Sequence, residues 1–283
     1  MRIAVPSKGR LKDVTISLLE EAGLAPAYKD ARALIVPSLR EGVEIVYARP
    51  EDIPWIVSSG AAELGITGHD YVLESEANVK ELLDLGYGKS KLVLAVPEKS
   101  GVRTPEELPE GVRIATKFVN LAKKYMEKKN IRGKIVKISG SAEIMPGIGA
   151  ADAIIDISST GTTLKLHGLR PIDVILESSA RLIANEEAAK NDFVQEIKLM
   201  IESVVRAKKK KLIMMNVPRE KLEAVIKVLP SMSGPTISEV KGPEPLMEVI
   251  VAVDEEEVPR VIVKAKELGA RDILVLNIER IIP

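Results

Sequence analysis

Short apolar runs alternate along the chain with stretches in which apolar residues recur every three or four positions. Residues 1–5 have the continuous apolar character of a buried strand. Leu11, Val14 and Leu18 then share one helical face that stops at Gly23. Residues 43–48 predict a second strand, 50–60 a short helix and 63–67 a third strand. Another strand is predicted over 91–96, followed by a loop rich in Pro, Glu and Gly over 97–111. The alternation restarts with a strand at 112–116, a helix at 119–129, and strands at 134–138, 153–157 and 172–176. This order predicts mostly parallel sheets with helices on both faces. Two such α/β units joined near residue 95 predict a hinged pair with a cleft between them.

The pattern changes towards the end. Residues 188–211 predict a long helix with the apolar stripe Ile197, Met200, Ile201, Val204 and Val205. It closes in the lysine run 208–211. Cations at a helix C-terminus complement its dipole, a better account of the run than phosphate or RNA binding. Beyond it, strands are predicted at 212–217, 236–240, 247–253 and 272–278. Helices are marked by Leu222, Val225, Ile226 and Leu229, and by Val258, Val261, Ile262 and Ala265. The order βαββαβ is that of a ferredoxin-like unit. The expected division is therefore a first lobe over 1–95 and 177–207, a second over 96–176, and a small domain over 208–283.

Composition narrows the chemistry. The 283 residues are 46% hydrophobic and 29% charged, a soluble globular balance. Lys plus Arg and Asp plus Glu each number 41, so a net charge of zero gives no argument for nucleic acid or a membrane surface as partner. The absence of cysteine removes disulfides, thiolate nucleophiles and Cys-ligated metals. With only His69 and His167, a multi-histidine metal site is excluded. Aromatics at 3% leave no stacking platform for bases. The N-terminus turns polar too soon for a signal peptide, and no apolar run reaches the ~20 residues of a membrane span. A cytoplasmic location is expected.

Candidate chemistry gathers at predicted strand ends, where open parallel sheets bind ligands. The stretch 152–164, DAIIDISSTGTTL, carries Asp156 near a strand end, then Ser158, Ser159, Thr160, Gly161, Thr162 and Thr163 before a predicted helix. Hydroxyls and N–H groups there form an anion cradle, and Gly161 lets backbone approach a phosphate closely. Asp156 would accept ribose hydroxyls. The same residues also suit a plain Ser/Thr helix cap. In VPSKGRL (5–11), Lys8 and Arg10 flank Gly9, suiting a triphosphate or a pyrophosphate, or else a solvated surface pair; the spacing is not that of a P-loop. In ELGITGHD (63–70), Asp70 follows a strand end as a nucleoside acceptor or an N-cap, and His69 suits a surface or packed position better than base catalysis. Arg49 falls on the same sheet edge.

RIAVPSKGRL, ARPEDIP, ELGITGHD, ADAIIDISSTGTTLKLHGL and SSARLIAN stand in the order of, and resemble, the signatures of the ATP phosphoribosyltransferases. The tail segments NVPREKL, SGPTIS and ELGARDILVLNIER resemble the regulatory domain of that family's long form. The resemblance implies a two-lobed core like that of periplasmic binding proteins, followed by a ferredoxin-like domain. It implies transfer of the phosphoribosyl group of phosphoribosyl pyrophosphate (PRPP) to N1 of ATP with Mg²⁺ as cofactor, in a homo-oligomer that is dimeric when active and hexameric when inhibited by histidine. It places PRPP on Asp156, Ser158, Ser159, Thr160, Gly161, Thr162 and Thr163, and ATP on Lys8, Arg10, Arg49, Asp70 and Glu143. Ser233, Thr236 and Ala270 are the candidates for the inhibitor. Many PRPP enzymes carry two adjacent acids before the loop; here Asp156 has no acidic neighbour, which leaves the metal ligands open. A solute-binding module, a sensor subunit and a transferase for another base are the competing readings. The first expects no phosphate loop, the second a decayed loop, and the third is not excluded by the loop.

Overall fold

The computed structural model describes residues 1–28, 33–230 and 234–282. In chain order the first lobe contains β1 (Arg2–Pro6), α1 (Lys12–Glu21), β2 (Ile35–Pro37), β3 (Glu44–Ala48), α2 (Ile53–Ser58), β4 (Leu64–Gly68), α3 (His69–Ser75) and β5 (Lys80–Asp84). The second contains β6 (Ser90–Pro97), β7 (Val112–Thr116), α4 (Val119–Lys129), β8 (Gly133–Lys137), β9 (Ala153–Ser158), α5 (Thr162–Leu166) and β10 (Leu169–Ser178). The chain then returns to the first lobe through β11 (Ala180–Ala184) and enters α6 (Asp192–Ala207).

Each lobe is built on a mixed sheet, not the mostly parallel one the alternation predicts. In the first, of order β2-β3-β1-β4-β11-β5, only β3, β1 and β4 run parallel; β2 and β11 are antiparallel to their neighbours. In the second, of order β10-β6-β9-β7-β8, β9, β7 and β8 are parallel and β6 and β10 antiparallel. The cause lies in the crossings. The segment predicted at 91–96 does not close the first lobe; as β6 it pairs with β9 and β10 in the second sheet. Residues 177 and 178 likewise end β10. The parallel trio in each sheet brings the C-terminal ends of β1, β3 and β4, and of β7 and β9, to sheet edges where loops carry polar side chains.

Burial follows the pattern. Ile3, Ala4 and Val5 of β1 are fully buried, as a strand covered on both faces requires. Leu92, Leu94, Ile114, Ile155 and Phe118 form the core of the second lobe. On α1 the buried residues are Thr15, Leu18 and Leu19, whereas Val14 is 42% exposed, so the predicted face is rotated by about one residue.

The small domain begins within α6: the chain divides into compact units at Lys198/Leu199. The helix predicted over 188–211 is shorter than expected, with a 3-10 turn at Ala188–Lys190 and α6 ending at Ala207. Lys210 and Lys211 belong to the following strand and pair with Asp254 at 2.8 Å and Glu255 at 3.1 Å, so cross-strand charge, not a helix dipole, accounts for them. Within this unit β12 (Lys210–Pro218), α7 (Leu222–Ile226), β13 (Thr236–Glu239), β14 (Leu246–Asp254), α8 (Val258–Glu267) and β15 (Arg271–Asn277) form an antiparallel sheet of order β13-β14-β12-β15. Ile213, Met215 and Val217 alternate inward with Val249, Val251 and Val253 against Val225, Val261 and Ala265. This is the ferredoxin-like arrangement expected.

Candidate active site

A cavity of about 350 Å³ is lined by the segments after β1, β4, β7 and β9. From the first lobe come Lys8, Gly9, Arg10, Pro50, Asp70 and Tyr71. The second supplies Lys117, Glu143, Asp156 and the run from Ile157 to Gly161, with Thr163. Strand ends far apart in sequence thus meet at one place.

The loop after β9 is shaped by its own hydroxyls. The Ser158 hydroxyl accepts the Gly161 N–H at 3.1 Å, closing a tight turn, and Gly161 takes φ +75°, which favours glycine. The Thr160 and Thr162 hydroxyls lie 3.0 Å apart. Thr162 does not line the cavity, although its neighbours on both sides do. Asp156, half-buried, also lines the cavity. Burial raises its carboxyl above the usual range; the Ile157 N–H and Lys117 oppose the rise, while Glu143 and Asp70 add to it. The Ile157 N–H donates to Asp156 Oδ1 at 2.8 Å.

Asp70 is 1% exposed. The Ser178 hydroxyl donates to its Oδ1 at 2.7 Å, and the Asp70 N–H donates back to Ser178 Oγ at 3.1 Å. Gly68 makes room for it: a Cβ there would stand 2.0 Å from Asp70 Oδ1. Arg10 reaches further than expected, donating to the hydroxyls of Ser159 and of Ser90, each at 2.6 Å. Lys8 and Glu143 complete the charged wall.

Arg49 is exposed and stays outside the cavity, whose wall takes Pro50 in its place. His69 turns towards Glu81, with Nδ1 2.5 Å from Oε1, and does not line the cavity. Two polar side chains of the lining, Tyr71 and Lys117, had no place among the candidates. Tyr71 follows Asp70, and Lys117 follows β7; the latter carried the same strand-end signal as Lys8. Lys117 Nζ donates to the Tyr71 hydroxyl at 3.1 Å and lies 5.1 Å from the Phe118 ring centroid. Burial opposes its charge, but Tyr71, Asp156 and Asp70 outweigh that and raise its pKa. Burial likewise raises the Tyr71 phenol, so the pair stands as ammonium and neutral phenol.

In the small domain the two described inhibitor candidates, Thr236 and Ala270, do not converge. Ser233 lies outside the described residues. Thr236 is exposed on β13, at one edge of the sheet, whereas Ala270 immediately precedes β15 at the other. Ala270 is also a core residue, and its N–H is taken by the Ala265 carbonyl at 2.9 Å. Three strand spacings, about 14 Å, separate the edges. Among the described residues no group of three His, Cys, Asp or Glu forms a metal site, and no helix is long and apolar enough to cross a membrane.

The family model described as HisG: ATP phosphoribosyltransferase matches residues 49–206, and that of the HisG C-terminal domain matches 207–280. The ATP phosphoribosyltransferase of Ignicoccus hospitalis is 68% identical over 283 residues, covering 100% of both chains. That of Sulfurisphaera tokodaii is 55% identical, again over 100% of each. The solved ATP phosphoribosyl transferase (HisG:HisZ) complex from Thermotoga maritima has a chain 29% identical, with a TM-score of 0.61 over 71% of this chain and 98% of that one. Full-length identity at this level, the matched C-terminal domain and the strand-end cavity agree: the chain belongs to the ATP phosphoribosyltransferase family, in its long form.

Proposed function

We propose that this cavity holds both substrates of the family's reaction, in which the 5-phosphoribosyl group of PRPP passes to N1 of ATP and pyrophosphate leaves, the first step of histidine biosynthesis. The observation that carries the assignment is the meeting of Asp156 and its hydroxyl loop with Lys8, Arg10 and Asp70 in one cavity. The loop from Ser158 to Thr163 takes the 5-phosphate, and Asp156 accepts the ribose hydroxyls. Lys8 and Arg10 face polyphosphate, while Asp70, fixed by Ser178, and Glu143 lie on the nucleoside side.

The chemistry suits these residues. N1 of adenine carries no proton in neutral ATP, so attack on the ribose carbon needs no strong base. As the bond to pyrophosphate lengthens, negative charge grows on the leaving group and positive charge on the ribose ring. Fixed cations on one side and a carboxylate on the other stabilise that separation, and alignment supplies much of the rest. Magnesium fits this site as an ion borne by substrate. Among the described residues no three acidic or histidine side chains cluster as metal ligands, so pyrophosphate and ribose oxygens would hold it with few side chains. When bound, it neutralises the departing pyrophosphate.

The small domain is the proposed seat of feedback inhibition by histidine, acting by preferring one assembly state over another. The active dimer and the inhibited hexamer belong to the same proposal. The site assignment is tested by titrating PRPP with Mg²⁺ into the Asp156→Asn variant by calorimetry. Loss of at least tenfold in affinity supports it, and unchanged affinity removes Asp156 from the PRPP site.

A further inference from the structure

A serine stands at each of the two places where the chain crosses between the lobes. Ser90 opens β6 in the second sheet, after β5 has ended the outward path through the first. Ser178 closes β10, and β11 resumes the first sheet at Ala180. The two serines are opposed in the antiparallel register of β6 and β10, so their side chains share one face. Both are buried. Each holds a charged residue of the first lobe that lines the cavity. Ser178 Oγ donates to Asp70 Oδ1 at 2.7 Å and accepts the Asp70 N–H at 3.1 Å. Ser90 Oγ accepts from Arg10 at 2.6 Å. The crossings are also bound to one another. The Ala180 N–H donates to the Tyr87 carbonyl and the Leu85 N–H to the Ala180 carbonyl, each at 2.9 Å. The Ser179 hydroxyl donates to Asp84 Oδ1 at 2.8 Å.

We propose that Ser90 and Ser178 are positioning residues for the transfer, paired hydroxyls at the crossings that fix Arg10 and Asp70 relative to one another. The proposal rests on the reading of Asp70 and Arg10 as substrate contacts. A serine hydroxyl has one proton, a carboxylate only accepts and a guanidinium only donates, so the direction of each bond is set. At Ser178 the hydroxyl takes the Asp70 N–H and gives its proton to Oδ1, a closed ring that holds the carboxylate in one rotamer. Among the described residues no donor reaches Oδ2, the oxygen left to accept from the nucleoside. At Ser90 the hydroxyl anchors one arm of the long Arg10 side chain to a strand, while Ser159 of the hydroxyl loop takes the other. Opposed residues on antiparallel strands keep their Cβ atoms about 5 Å apart. The spacing between the acceptor of the nucleoside and the donor to phosphate is therefore set by sheet pairing, not by the loops that carry Asp70 and Arg10. Such fixed placement is the form of help an alignment-driven transfer needs.

The test is a pair of double-mutant cycles, with initial rates measured as ATP and PRPP are varied in turn. One cycle combines Ser178→Ala with Asp70→Ala, the other Ser90→Ala with Arg10→Ala. Ser178→Ala raises KM for ATP about tenfold and leaves kcat within a few-fold of wild type. In the Asp70→Ala background the same substitution changes nothing further, because the side chain it positions is gone. Ser90→Ala lowers kcat/KM for PRPP about threefold, and it too is silent once Arg10 is alanine. Ser178→Cys, of similar shape with a weaker donor, gives an intermediate KM and carries the test if the alanine variant does not fold. Losses that multiply in full in both double variants would make the serines parts of the fold alone and would overturn the proposal. An Asp70→Ala variant with wild-type KM for ATP would sink the nucleoside reading itself. A raised KM in Asp70→Ala with wild-type values in Ser178→Ala and Ser178→Cys would sink only the role of Ser178.

Discussion

The Arg10 guanidinium donates to the Ser159 hydroxyl at 2.6 Å, joining the loop after β1 in one lobe to the loop after β9 in the other. A second N–H reaches Ser90, the first residue of β6, at the same distance. One side chain thus ties the loop after β1 to the hydroxyl loop after β9 and to the start of β6. The residues alone suit a triphosphate or a pyrophosphate, and the family resemblance places Arg10 with ATP.

That link makes a kinetic distinction. Arg10→Ala is expected to lower kcat/KM for PRPP at least as much as for ATP, by about tenfold, the low end for a charged hydrogen bond because the side chain is exposed. Initial rates with each substrate varied in turn measure it. A loss confined to ATP would restore Arg10 to a single-substrate role.

Gly68 is needed for space, not for backbone conformation, since its φ is −74°. A Cβ placed 2.0 Å from Asp70 Oδ1 forces the carboxylate out of its hydrogen bond with Ser178. Gly68→Ala is therefore expected to raise KM for ATP tenfold or more, while Gly161→Ala, which meets no atom within 4 Å but must hold φ +75°, chiefly costs about 1 kcal/mol of loop strain. Comparing KM for ATP and thermal midpoints of the two variants separates crowding from strain.

The N-terminus of α4 is capped from another helix. Glu74 of α3 accepts the Asn120 N–H at 3.0 Å and the Leu121 N–H at 2.9 Å, and its carbonyl accepts from the Asn120 side chain at 2.9 Å. No side chain next to the helix start serves instead. Glu74→Ala should cost about 1–2 kcal/mol of stability, read as a lower denaturant midpoint with unchanged slope. An unchanged midpoint would mean that water replaces the cap without penalty.

For the small domain, Thr236→Leu is expected to weaken histidine binding, and removal of residues 211–283 to abolish inhibition. Calorimetry on the full-length variant measures the first. Undiminished binding takes Thr236 out of the site. Since Thr236 and Ala270 mark opposite sheet edges, a site using both would need two chains. Histidine affinity that depends on protein concentration would be the sign of it.

Much of this architecture was legible from periodicity. The runs at 112–116 and 119–129 match β7 and α4, and the βαββαβ order of the tail matches its sheet. What stayed hidden depends on long-range pairing. β11 is five residues, ARLIA, inserted between β4 and β5, far away in sequence. β5, KELLD, has no fully buried residue and lacks the alternation that marks a strand. Nothing local reveals that β6 leaves the first lobe. At the site, residues following strand ends were found where a charge stood within two positions of a glycine, as with Lys8 and Asp70. Lys117 lacks such a neighbour, and its significance comes from Tyr71 in the other lobe.

The most direct test is the formation of phosphoribosyl-ATP from ATP and PRPP with Mg²⁺, followed by absorbance together with pyrophosphate release, in the wild-type and Asp156→Ala enzymes. The wild type is expected to form both products in equal amounts. Asp156→Ala, folded and with its ATP affinity retained, should lose about ten- to a hundredfold in kcat/KM for PRPP. A folded wild-type protein forming no phosphoribosyl-ATP, or an Asp156→Ala variant as efficient with PRPP as the wild type, would contradict the account.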